Sequence, residues 1–161
     1  MKSQFVISPK KTRERKRTEL ISIILLSENH GYRMKSYGPI SLVKIGSKTL
    51  LEHQIDAISS AFINFEVVVC SGFETNKIYN FVKRKYGPSV KIRIVENQVY
   101  YHSNCCESIR LCMNNVMNEK IIVCGGGVLL TPSYLKNLDL SKSSLLYQNK
   151  KKSDNFDVGV I

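Results

Sequence analysis

The chain has 161 residues, 43% of them hydrophobic, and carries 24 lysines and arginines against 13 aspartates and glutamates. A chain of this length suits one domain, and its apolar fraction is that of an ordinary globular protein, which excludes disorder as the governing state. No run approaches the roughly 18 apolar residues of a membrane span, and Phe5-Val6-Ile7 is too short for the apolar core of a signal sequence. The five cysteines are therefore expected as reduced thiols in a cytoplasmic protein. A virion is the alternative location if the Lys- and Asn-rich composition reflects a viral genome.

The formal net charge is +11, and much of it is local. Lys2, Lys10, Lys11, Arg13, Arg15, Lys16 and Arg17 stand against Glu14 and Glu19, without a sustained apolar period. This predicts a basic arm over 1–19, outside the fold. Lys150-Lys151-Lys152 forms a second block. Such blocks attract polyanions, whether nucleic acid or an acidic protein surface, or they serve as solvated tails.

The domain predicted over 20–161 opens with an unbroken apolar run, Leu20 to Leu26, as in a strand buried on both faces. Polar residues, two glycines and a proline make 27–39 a loop, and Leu42 to Ile45 is a short strand at most. Leu51, Ile55, Ile58 and Phe62, three and four apart, predict a helix over 48–62. Val67 to Cys70 is a second buried strand, closing at Ser71-Gly72. Ile78, Phe81 and Val82 mark a second helix that stops at Tyr86-Gly87-Pro88. Val90 to Val95 alternates apolar and basic residues, which predicts a strand with one wet face. A helix over 105–117 should turn Ile109, Cys112, Met113 and Val116 inward. Ile121 to Cys124 is a fourth strand, running into Gly125-Gly126-Gly127. Beyond Leu130 the pattern weakens to a helical turn over 133–138 and strands over 144–147 and 156–161.

Strands alternating with helices predict an α/β fold, a Rossmann-like three-layer sandwich with a mostly parallel sheet. Ligands in such sheets bind beyond the carboxyl ends of the strands. The loops after Leu26, Gly72, Val95 and Cys124 are therefore the informative ones.

Those loops carry a family likeness. Leu26-Ser27-Glu28-Asn29-His30-Gly31-Tyr32-Arg33 matches a Leu-Ala-Ala-Gly-x-Gly-x-Arg loop after a first strand. Pro39-Ile40-Ser41-Leu42, Gly46 and Leu50-Leu51-Glu52 match Pro-Lys-x-Leu, Gly and Leu-Leu-Glu. Val68-Val69-Cys70-Ser71-Gly72-Phe73 matches Val-Val-x-Gly-Tyr, Asn104-Cys105-Cys106-Glu107-Ser108 matches Asn-x-x-x-Ser, and Cys124-Gly125-Gly126 matches a strand ending in Gly-Asp. In this order the segments resemble the nucleotidyltransferases that make sugar nucleotides and the related enzyme that guanylylates molybdopterin, over residues 20–135.

The resemblance implies a nucleotide across the carboxyl end, held by Asn29, Gly31, Arg33, Gly72, Asn104, Ser108, Gly125 and Gly126. It implies nucleotidyl transfer, in which a sugar phosphate attacks the α-phosphate of a nucleoside triphosphate and releases pyrophosphate. Glycine-loop amides cradle phosphates, the Arg and Lys neutralise charge, and the Asp holds Mg²⁺, a division suited to chemistry that depends on positioning and charge.

Three departures count against turnover. Glu28 replaces a small residue, and a carboxylate 4 Å from a phosphate charge is repelled by about 1 kcal/mol even in water. Ile40 stands where the lysine belongs, and Gly126 stands at the metal-binding aspartate. Mg²⁺ is commonly held through one or two carboxylates, so that loss is costly. The sequence thus points to a nucleotidyltransferase-like domain with an eroded site, a non-catalytic binding or structural component of a larger assembly. Two alternatives compete with it. One is an active divergent enzyme using Arg33 with Lys35 or Lys44, an NTP and Mg²⁺; the other is a basic nucleic-acid-binding protein on the same scaffold. No metal ligand set is expected: His102, Cys105, Cys106 and Cys112 form one segment, whereas zinc sites pair two.

Overall fold

The computed structural model describes residues 16–29 and 37–144. Most of the expected arm, the strand expected over 156–161, all but Ser144 of that over 144–147, and Gly31, Arg33 and Lys35 lie outside the described residues.

Strand β1 (Ile21–Ser27) is central because five of its seven side chains are apolar and can be covered on both faces. It pairs in parallel with β4 (Phe65–Ser71) on one side and β6 (Ile121–Gly125) on the other, and β5 (Ile92–Glu96) adds in parallel outside β4. The sheet order is β5-β4-β1-β6. The period of two sends Ile21, Ile23 and Leu25 to one face, and Ile24 to the other. On the first face they meet α1 (Leu50–Ala61), α2 (Thr75–Lys85) and α4 (Pro132–Lys136), where Leu51, Ile55, Ile58, Ile78 and Leu135 complete the main core. On the second, Ile24, Val68 and Cys70 meet Cys112 of α3 (Cys105–Met113). The result is the three-layer α/β sandwich with a parallel sheet that the alternation of elements predicts.

Helix α1 begins two residues later than its apolar period suggests. Lys48-Thr49 (β3) pairs with Lys44-Ile45 (β2) in a small hairpin turned at Gly46, whose φ of 65° suits glycine. Thr49 then caps the helix: its hydroxyl accepts from the Glu52 amide, while the Glu52 carboxylate accepts from the Thr49 amide. This capping box contributes about 1 kcal/mol, and Lys85 pairs with Glu52 from α2.

Helix α3 differs most from expectation. It stops at Met113 instead of 117, in a tight turn in which the Asn115 amide donates to Cys112 O and the Asn115 side chain donates to Leu111 O. Asparagine competes for helix backbone groups in this way. The shortened helix buries Ser108 and Cys112, four apart, and turns Met113 outward at 45% exposure. Strand β5 is half-buried from Ile92 to Val95 and exposed at Glu96 rather than wet on one face, because an edge strand is covered incompletely on both faces.

The fold also begins earlier than 20. The Arg17 amide donates to Ala61 O, and Arg17 O accepts from the Ile63 amide. Its guanidinium bonds the carbonyls of Lys136 and Leu138 and the Glu19 carboxylate, and lies over the Phe62 ring. A fork of five donors can bind the carbonyl end of α4 and the ring together, so residues 16–19 of the expected arm dock on the domain.

Candidate functional site

The chain leaves β1 toward β4 and β5, then crosses back to β6 on the other side of β1. That reversal puts the switch in strand order between β1 and β6, and the carboxyl ends of these strands are where sheets of this kind bind ligands. Three backbone approaches shape this edge.

The Gly126 amide donates to Leu26 O at 2.7 Å. A Cβ at Gly126 would lie 2.3 Å from that same oxygen and 2.9 Å from Ser27 Cα, so only glycine fits. At Gly127 a Cβ would instead meet the Ile40 side chain at 3.3 Å, with Ile40 opening the 3₁₀ turn Ile40–Leu42. At Gly72 a Cβ would strike Tyr100 at 2.6 Å and Glu28 O at 2.9 Å. Here the Phe73 amide also donates to Glu28 O. The loops after β1, β4 and β5 therefore meet around one glycine, and those after β1 and β6 around another.

Two buried polar side chains that the sequence pattern did not single out hold these loops. From within the apolar stripe of α1, Gln54 donates to Gly125 O at 3.0 Å and Val128 O at 2.7 Å. Asn97, just past β5, donates to Ser103 Oγ and Ser108 Oγ and accepts from the Val99 amide. A fully buried Gln on an apolar face was the available signal for the first; Asn97 offered none, since it looks like any loop asparagine.

The expected site residues separate into groups. Asn29, Gly72, Ser108, Gly125 and Gly126 lie at the carboxyl edge. Asn104 caps α3, its Oδ1 accepting from the Cys106 and Glu107 amides. Ser108 faces inward, fully buried, beside Glu28. Lys44 is exposed on the small hairpin. Glu28 itself is 3% exposed, and its Oε2 has no hydrogen-bond partner among the described residues. Burial raises its carboxyl above the ordinary range, offset in part by its own amide and by the Ser108 hydroxyl. On the same side, the Cys112 thiol is held protonated by the Cys70 sulfur beside it and by burial.

Among the described residues no three His, Cys, Asp or Glu side chains converge as a metal set. Two clefts, of 440 and 620 Å³, lie along the outer strands, one between α2 and β5 and one beside β6. No described helix is long and apolar enough to cross a membrane.

No protein-family model and no curated protein matches the sequence. Solved structures do match. The CTP:phosphocholine cytidylyltransferase of Streptococcus pneumoniae is 25% identical at a TM-score of 0.55, over 67% of this chain and 45% of that one. The inositol-1-phosphate CTP transferase of T. maritima is 23% identical at a TM-score of 0.58, over 73% of this chain and 47% of that one. The fold is that of a nucleotidyltransferase. The chain spans less than half the length of these two neighbours.

Proposed function

We propose that this chain is a nucleotidyltransferase-like domain that does not turn over and serves as a binding or structural component of a larger assembly. The observation that carries the reading is the pairing of Gly127 with Ile40. Gly126 has no room for any side chain, so the aspartate position of the resemblance is better assigned one residue on. At Gly127 a side chain would point at Ile40, the residue that replaces the lysine. Hydrogen and a hydrocarbon thus face each other where the resemblance calls for a metal-binding carboxylate and a cation.

The described residues do not fit Mg²⁺. Glu28 is turned against α3, and the exposed Asp139 accepts from Ser141 and pairs with Lys142 after α4. Phosphoryl transfer depends on charge placed at the reacting phosphate, and these side chains place none. The basic arm and the excess of 24 cations over 13 anions suit contact with nucleic acid or an acidic protein surface.

The test is pyrophosphate release from each nucleoside triphosphate with Mg²⁺, using phosphocholine and inositol-1-phosphate as acceptors. No release above the protein-free rate is expected. Sustained turnover by the wild-type chain would refute the reading.

A further inference from the structure

The carboxyl edge contains one side chain that neither the fold nor a transferase needs. Glu28 follows β1 directly, and its backbone is fixed from the neighbouring loop, its carbonyl accepting from the Phe73 amide and lying against Gly72. Its side chain runs to the α3 face, where Ser108 on one side and the Cys70–Cys112 pair on the other both feel its carboxyl.

That place is filled rather than hollow. Glu28 is 3% exposed and Ser108 and Asn97 are fully buried. The Asn97 amide donates to Ser108 Oγ at 3.0 Å, which leaves the hydroxyl proton of Ser108 to turn toward the glutamate. Even so, Oε2 lacks a partner among the described residues. A buried carboxyl left half-satisfied costs free energy and adds nothing to packing that an apolar side chain would not.

We propose that the side chain of Glu28 fills the place between the ends of β1, β4 and α3, against Gly72 and Ser108, which the resemblance gives to a nucleotide, and that this one residue keeps nucleotides out of the site. The inference rests on reading this edge as a nucleotidyltransferase-type site. A base entering here has to displace a buried side chain and bring phosphates toward a carboxyl group. Both raise the cost of binding, independently of whether a metal can be held.

The experiment titrates CTP and GTP, without Mg²⁺, into the wild-type chain, Glu28→Ala and Glu28→Gly. Calorimetry gives the affinity, and the amide resonances of Asn97 and Ser108 report the place. The variants should gain about tenfold or more in affinity for at least one nucleotide, the scale expected when a buried polar group need no longer be moved. The Asn97 and Ser108 resonances should shift only in the variants. Circular dichroism checks folding, and Glu28→Ser stands in if the alanine variant fails to fold. Equal binding by wild type and variants overturns the proposal, because Glu28 then blocks nothing. Binding by none of the folded proteins overturns it as well, because something else then closes the site. Neither result touches the non-catalytic reading, which fails only if the wild type releases pyrophosphate.

Discussion

Two buried glutamates on the same face of the sheet, one at each end, have opposite surroundings. At the amino end Glu66 is 2% exposed and saturated: Oε1 accepts from Ser22 Oγ and the Met117 amide, each at 2.6 Å, and Oε2 accepts from Arg93 at 2.9 Å. Ser22 in turn accepts from the amide and side chain of Asn118. Burial alone would raise the Glu66 carboxyl, but these donors and the Arg93 charge outweigh it and hold it below the ordinary range. At the carboxyl end Glu28 is equally buried and nearly without donors, and it is raised. The contrast separates a charge that helps to build the fold from one that occupies a site. Glu66 ties β4 to β1, β5 and the turn after α3, whereas Glu28 ties nothing that its own backbone does not already tie.

The sharpest way to break this contrast is to remove the saturated carboxylate. Glu66→Ala should cost about 3 kcal/mol or more, since deleting one partner leaves Arg93, Ser22 and the Met117 amide uncompensated. Urea unfolding measures it, and a loss below about 1 kcal/mol would mean the network is surface-like. Next come the glycines of the β6 turn. Gly126→Ala should destabilise by about 2 kcal/mol, because its Cβ meets backbone that cannot yield. Gly127→Ala needs only a small movement of a flexible side chain and should stay within about 0.5 kcal/mol. Equal losses would remove the reason for placing the missing acid at Gly127.

The smallest effect is the pH dependence, and its sign differs between the two acids. A carboxyl raised in the folded state favours folding below its unfolded value, near 4.5, and loses that contribution as pH rises through the folded value. Glu28→Gln should thus match wild type at acid pH and exceed its stability by a growing margin toward neutrality. Glu66→Gln should do the reverse. The lowered Glu66 carboxyl stabilises above 4.5, and that contribution fades as pH falls, so the deficit of this variant should narrow in acid. Thermal unfolding of both variants from pH 3 to pH 7 (a range set by the ordinary carboxyl value of about 4) tests the pair, and parallel curves would erase the distinction.

Much of the fold was legible in the sequence because it rests on local repetition. The unbroken apolar runs of β1, β4 and β6 and the three-and-four spacing of α1 specify burial without reference to distant residues. What escaped depends on partners remote in sequence. Gln54 acts on a carbonyl 71 residues away, and Arg17 on carbonyls about 120 residues away. The end of α3 is decided by asparagine side chains that a hydrophobic period does not register. At the candidate site the order of motifs placed the segments after β1, β4 and β6 in the chain, but three consecutive glycines carry no register. Only the 2.3 Å approach to Leu26 O separates Gly126 from Gly127. That Glu28 is a departure was visible from its type; that it lies buried beside Ser108 was not, because nothing local fixes the direction of its side chain.

The most direct test of the central claim is thermal unfolding of the wild-type chain with each nucleoside triphosphate, with and without Mg²⁺. A ligand at a hundred times its Kd adds about 2.7 kcal/mol to stability, which for a domain of this size is roughly 5–10 °C. The proposed reading predicts no Mg²⁺-dependent shift with any nucleotide. A shift of several degrees that requires both Mg²⁺ and one nucleotide would contradict it, because the edge would then hold a nucleotide together with its metal.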